Sequence, residues 1–134
     1  MTEQTWLPEP SEASKPFFDG CSEGVLRIQK CQNCGTWAYP ITTACSNCGS
    51  YDIGWDDASG DATLYAHGLL QRVYHPRHDG NLPVIIAQID LVEGLRIFSN
   101  VVNVDPQELK AGDALKVTFE TFPDGGTIPV FEPA

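Results

Sequence analysis

Two Cys-x-x-Cys-Gly motifs limit the structure of this chain more than any other part of its sequence. They are Cys31–Gly35 and Cys45–Gly49, and ten residues separate Cys34 from Cys45. Two residues between cysteines let both sulfurs of a pair turn toward one point, and the following glycine permits the tight turn that this requires. We therefore predict a closed, structural zinc site with one zinc per chain. Its ligands are Cys31, Cys34, Cys45 and Cys48.

The alternative interpretations of these cysteines are disulfides, unrelated core positions, and a rubredoxin-like iron site with the same spacing. The repeated motif argues against unrelated core cysteines. The segment Met1–Trp6 lacks the basic and apolar regions of a signal peptide, so we expect a cytoplasmic, reducing environment that favours a metal over disulfides. Cys21 has no such partner, and we expect a buried apolar side chain there, with a reactive thiol as the alternative.

The charge of the chain argues against nucleic acid as its partner. Eighteen acidic and eight basic residues give a net charge of −10 over 134 residues. Nucleic-acid-binding domains usually present a basic face, whereas this chain repels phosphate backbones. No apolar run approaches the roughly 20 residues that span a bilayer, so no membrane association is expected. We expect a protein or small-molecule partner.

Residues 1–24 are predicted to form an extended arm followed by a docking helix at 11–23. Ser11 or Ser14 can cap this helix. Phe17, Phe18 and Cys21 follow one another at helical spacing as an apolar stripe, which is either ordinary core or a surface for another subunit. Trp6 in the arm could likewise pack on the domain or on a partner. The candidate docking residues are Trp6, Phe17 and Phe18.

Residues 25–56 are predicted to form the zinc ribbon. Val25–Lys30 and Thr36–Pro40 indicate two strands around the first cysteine pair. A unit of this size cannot build a large core, so zinc should supply much of its stability. Residues 49–60 are interpreted as a junction, in which Trp55 packs between the ribbon and the next module.

Residues 57–134 are predicted to be all-β, which makes the chain mainly β. Five strands, a bend or bulge at Gly68 in the first of them, and a helical turn capped by Asp105 are typical of a five-stranded OB-fold barrel. The predicted strands are 62–73, 83–92, 95–102, 114–122 and 127–131.

A basic loop between the first two barrel strands is the other concentration of functional groups. We predict that it contacts an anionic ligand or a partner; a catalytic His/Asp pair, a second metal site and a merely solvated loop are the alternatives. Its candidate residues are Arg72, His75, Arg77 and His78. No common catalytic motif is present, and a closed Cys₄ site leaves no open metal position, which disfavours an independent enzyme.

The order of these motifs resembles the DUF35 family, a rubredoxin-like zinc ribbon followed by an OB-fold. The resemblance runs from about Phe17 to the end of the sequence. It rests on the helix with Phe17–Gly20, both C-x-x-C-G motifs, Trp55, and the final Thr127–Pro133 stretch.

This resemblance implies a non-catalytic accessory subunit of a thiolase-fold acyl-CoA enzyme. The partner would be a thiolase-like large subunit, in a hetero-oligomer such as two plus two chains, and would carry the catalytic groups. The small subunit would dock on it and support acyl-CoA binding, with direct contact to the coenzyme A thioester left open. A lipid-transfer-protein-like retro-aldolase is the alternative partner, and a single-stranded nucleic-acid-binding OB-fold protein is the alternative function.

Overall fold

The computed structural model describes residues 11–72, 80, 82–123 and 125–134. Within these ranges the chain is mainly β, as predicted, with one α-helix near its start. The elements are α1 (Lys15–Ser22), β1 (Leu26–Cys31), β2 (Trp37–Ala38), β3 (Ile53–Ala58), β4 (Asp61–Leu70), β5 (Val84–Leu91), β6 (Arg96–Val101), a 3-10 turn (Pro106–Glu108), β7 (Ala114–Thr121) and β8 (Thr127–Pro133).

Helix α1 is shorter than the predicted 11–23. Ser14, one of the two predicted caps, is the N-cap residue, but its hydroxyl donates to the Ser11 carbonyl and makes no side-chain cap bond to the helix. The helix runs from Lys15, with proline in its first turn. At the other end Gly24 adopts a positive φ of 77°, and the Val25 N–H donates to the Gly20 carbonyl at 2.8 Å. These are the usual features of a glycine-terminated helix. No helix in the described ranges is long and apolar enough to cross a membrane.

The ribbon is a three-stranded antiparallel sheet in the order β2-β1-β3. Strand β3 was not predicted, because Gly54 and two aspartates gave residues 49–60 the pattern of a junction. Pairing with β1 overrides that pattern. Arg27 lies 3.2 Å from Asp57, and Lys30 lies 3.4 Å from Asp56, so acidic side chains in β3 meet basic ones in β1.

The barrel has the five predicted strands, in the closed order β4-β5-β6-β8-β7. Strands β6 and β8 pair in parallel, and the other neighbours are antiparallel. The irregularity in β4 was predicted at Gly68 but falls between Leu64 and Ala66. There the strand leaves β7, with which it pairs only as far as Thr63, and Leu64 bonds instead to Gly112 and Asp113.

One apolar core joins the ribbon to the barrel. Leu26 and Ile28 of β1, each 1% exposed, belong to the same cluster as the barrel residues Leu64, Ile89 and Phe131. Burial of side chains of this size contributes roughly 1.5–3 kcal/mol each. The central ribbon strand therefore contributes side chains to the same core as the barrel strands.

Candidate metal centre and apolar surfaces

The two cysteine motifs fold as matching turns. Gly35 donates its N–H to the Cys31 carbonyl and Gly49 donates to the Cys45 carbonyl, each at 2.9 Å. Both glycines have positive φ, 79° and 76°, a conformation that costs little only in the absence of a Cβ. The sequence pattern thus produces the same loop twice, with the sulfurs of both loops directed toward one point.

The four predicted cysteines come together with a spacing that fits zinc. Their sulfurs all lie within 4.8 Å of one another; Cys31 and Cys48 are 3.6 Å apart, and Cys34 and Cys45 are 3.5 Å apart. Tetrahedral zinc with Zn–S bonds of about 2.3 Å separates its sulfurs by about 3.8 Å. None of the cysteines is in a disulfide. The thiols therefore form a closed structural site.

Backbone amides point at the two buried sulfurs. Cys34 donates its N–H to Cys31 Sγ at 3.5 Å. In the second loop, Asn47 and Cys48 donate theirs to Cys45 Sγ at 3.4 and 3.5 Å. These N–H···S contacts hold the two buried sulfurs within their turns.

The two exposed sulfurs receive side-chain donors. Thr36 Oγ1 lies 3.1 Å from Cys34 Sγ, and its hydroxyl can donate to the ionised thiol. Together with the Thr36 backbone and the Asn47 amide, it lowers the pKa of Cys34 from 9.0 to about 5. The pKa of Cys48 is also lowered, chiefly by the side-chain amide of Asn33. Sequence reasoning missed these donors, although an asparagine before the second cysteine of each motif was a visible signal.

A buried glutamine holds the segment between the two cysteine loops. Gln29 in β1 is 7% exposed; its Nε2 donates to the Thr42 carbonyl at 3.2 Å, and its Oε1 accepts the Thr42 N–H at 2.8 Å. The Gln29 side chain thereby gives the Thr42 backbone the two hydrogen bonds that a neighbouring strand would otherwise provide. This residue was not predicted to have a role.

An apolar groove of about 310 Å³ lies between α1 and the ribbon. Phe17 and Phe18, two predicted docking residues, are half-buried beside it, with ring centroids 5.1 Å apart. Phe17 also packs against the core cluster, which is the ordinary-core role weighed for the stripe, while its docking role stays a prediction. Trp55, which was predicted to pack between the ribbon and the next module, lines this groove. The lining includes Phe17, Phe18, Tyr39, Pro40, Ile41 and Trp55.

A second apolar surface lies on the outside of β4, β5 and β6. Phe98 is 67% exposed there, beside Leu69 and Ile86, around a depression of about 370 Å³. Nearby, the Arg96 guanidinium lies 3.4 Å from the centre of the Tyr65 ring and bonds to Asp90. That arginine is already neutralised by a carboxylate, which makes it a poor phosphate ligand.

The remaining candidates divide between the described and undescribed parts of the chain. Arg72 is exposed. His75, Arg77, His78 and Trp6 lie outside the described residues. Cys21 is 1% exposed, as expected of an apolar position, and burial raises the pKa of its thiol to about 11.

Comparison with known proteins gives the same two modules. Residues 18–53 match the family model described as the ChsH2 rubredoxin-like zinc ribbon domain, and residues 55–120 match the ChsH2 C-terminal OB-fold domain. A solved structure titled "Ltp2-ChsH2(DUF35) aldolase" is 28% identical and superposes with a TM-score of 0.84, over 95% of this chain and 98% of that chain.

Two curated relatives extend this picture. The probable enoyl-CoA hydratase alpha subunit of Thermomonospora curvata is 30% identical over 88% of this chain, which spans only 36% of that protein. A DUF35 domain-containing scaffold protein of Methanocaldococcus jannaschii is 26% identical over 72% of this chain and 69% of its own length. The paired modules and these relatives show that the chain belongs to the DUF35 family, with a ChsH2-type zinc ribbon followed by an OB-fold domain.

Proposed function

We propose that this chain is a non-catalytic, zinc-binding accessory subunit of an acyl-CoA enzyme complex. The observation that carries the proposal is the superposition on the solved aldolase titled Ltp2-ChsH2(DUF35), which extends over nearly the whole of both chains. The acyl-CoA substrate is inferred from the name of the Thermomonospora curvata hydratase subunit.

The chemistry of the described residues supports an accessory role. Four thiolates fill the coordination sphere of a tetrahedral zinc, so the metal has no open position for a substrate or water. The Cys21 thiol, buried and with a raised pKa, is a poor nucleophile. The reacting groups would therefore lie on a larger partner subunit.

The groove beside α1 is our proposed docking surface. It is lined by aromatic and aliphatic side chains, including Phe17 and Phe18, and such pockets accept the apolar anchors of a partner. Arg72 and the loop residues His75, Arg77 and His78 are proposed to face the acyl-CoA. Because the chain carries a net charge of −10, the partner should supply most of the contacts to the coenzyme A phosphates.

We propose a thiolase-fold large subunit as the partner, cleaving either by thiolysis or by a retro-aldol reaction. The aldolase name of the solved relative favours the retro-aldol reaction. Hydratase activity is not carried over from the longer relative, because about two thirds of that protein has no counterpart in this sequence.

Co-expression with a thiolase-fold protein from the same genome tests the proposal. We expect the two chains to co-elute on size exclusion, and the partner to gain activity when the small subunit is present. A 3-hydroxyacyl-CoA reports retro-aldol cleavage, and a 3-ketoacyl-CoA with free CoA reports thiolysis. The chain alone should convert neither substrate. Separate elution with unchanged partner activity, or turnover by the isolated chain, would refute an accessory role.

A further inference from the structure

In each zinc-binding loop, an asparagine side chain donates a hydrogen bond to a cysteine sulfur of the other loop. Asn33 of the first loop donates from Nδ2 to Cys48 Sγ of the second at 3.5 Å, and Asn47 of the second donates to Cys34 Sγ of the first at 3.7 Å. We propose that Asn33 and Asn47 are positioning residues that act as reciprocal braces and retain the zinc by tying each loop to the opposite thiolate.

The two asparagine hydrogen bonds lie on the solvent-exposed side of the metal site. Cys31 and Cys45 are buried, whereas Cys34 and Cys48 are exposed, so protons and chelators reach the site through the second cysteine of each loop. Those are the two sulfurs that accept the asparagine amides. Neither can leave the metal freely without losing a hydrogen bond to the other loop.

The chemistry of the amide determines its orientation. A metal-bound thiolate can only accept, so each asparagine must present its NH₂ group to the sulfur. Aspartate has nearly the same size but would place an anion there and offer no donor. Replacement by aspartate therefore separates hydrogen bonding from simple space filling.

The size of the effect follows from other metal sites. Loss of an outer hydrogen-bond partner typically costs 10–100-fold in metal affinity. Because Asn33 and Asn47 are themselves exposed, we expect the lower end of that range for each. With an unchanged rate of zinc binding, a tenfold loss of affinity makes zinc release roughly tenfold faster in Asn33→Ala and in Asn47→Ala.

The test is the rate of zinc transfer from the zinc-loaded full chain to the chelator 4-(2-pyridylazo)resorcinol. Asn33→Ala, Asn47→Ala and the matching aspartate variants are compared with the parent, with circular dichroism showing that each is folded. Ser46→Ala is the control, since Ser46 is exposed and belongs to the second zinc-binding loop but is not one of the two asparagines. The cobalt-substituted proteins provide a second readout, because the S→Co charge-transfer bands report the thiolate environment.

We expect the aspartate variants to release zinc faster than the alanine variants, and Ser46→Ala to match the parent. Equal rates for the parent and both alanine variants would overturn the proposal. Parent-like rates for the aspartate variants, with fast release from the alanine variants, would also overturn it, since the side chains would then be acting only as filler.

Discussion

At the scale of single residues, the ribbon depends on polar side chains that complete its backbone hydrogen bonding. Residues 39–44 link the cysteine loops without joining the sheet, so their polar groups need partners. Gln29 supplies both a donor and an acceptor to Thr42. In the sequence Gln29 is merely a polar residue in a strand, because nothing in the local pattern shows that a distant segment covers it.

Gln29→Leu tests this role. The substitution puts an apolar side chain of comparable volume in place of the amide and leaves the Thr42 N–H and carbonyl without their partner. We expect the free energy of unfolding of the zinc-loaded protein to fall by about 1–3 kcal/mol, measured by chemical denaturation. Gln107→Leu, at an exposed position, is the control and should change it by less than about 0.5 kcal/mol. Equal effects of the two substitutions would mean that the Thr42 contacts contribute nothing.

At the scale of elements, the sequence predicted those loops and strands whose formation depends on residues close together in the chain. The paired C-x-x-C-G motifs predicted both zinc-binding loops, and turn residues separated the five barrel strands. Strand β3 was not predicted because its residues favour turns, and only pairing with β1 makes it a strand. The displaced irregularity in β4 has the same origin, since it depends on where β7 stops pairing. Long-range pairing is not visible in a single stretch of sequence.

A matched pair of substitutions tests the proposed docking role of α1. Phe18→Ala truncates a side chain at the groove, and Phe98→Ala makes the same change on the outer face of the barrel. If the groove is the docking surface, Phe18→Ala should weaken partner binding about tenfold or more, as is typical of an interface anchor. Phe98→Ala should leave the dissociation constant unchanged. Titration calorimetry with the purified partner measures both.

The converse result would place the docking surface elsewhere. Loss of binding with Phe98→Ala alone would assign it to β4, β5 and β6. Because Phe18 is half-buried, thermal unfolding of each variant must show that the free subunit remains folded.

At the scale of the whole molecule, the ribbon and barrel are two modules in sequence but share one core. Leu26 and Ile28 belong to a ribbon strand, yet they pack with residues from the barrel strands. Since β1 also ends at the first zinc ligand, the metal and the barrel core act on opposite ends of one strand. Loss of zinc should therefore affect more than the cysteine loops.

Zinc removal is expected to destabilise the barrel as well as the ribbon. A Trp6→Phe background leaves Trp37 and Trp55, both in ribbon strands, as the fluorescent reporters, while far-UV circular dichroism follows the whole chain. With zinc bound, both signals should give one coincident unfolding transition. After chelation, we expect the barrel transition to move to lower denaturant, because β1 no longer holds its two core side chains in place.

Leu26→Ala with zinc bound isolates the packing part of this coupling. Removing a side chain that is 1% exposed should lower the free energy of unfolding by about 2–5 kcal/mol, whereas Val92→Ala, at a position 65% exposed, should lower it little.

If the ribbon folded independently, Leu26→Ala would leave the barrel transition in place, and chelation would abolish only the fluorescence change. A barrel midpoint that is the same with and without zinc would therefore contradict the shared core, and a common shift in both signals would show that zinc stabilises the entire subunit.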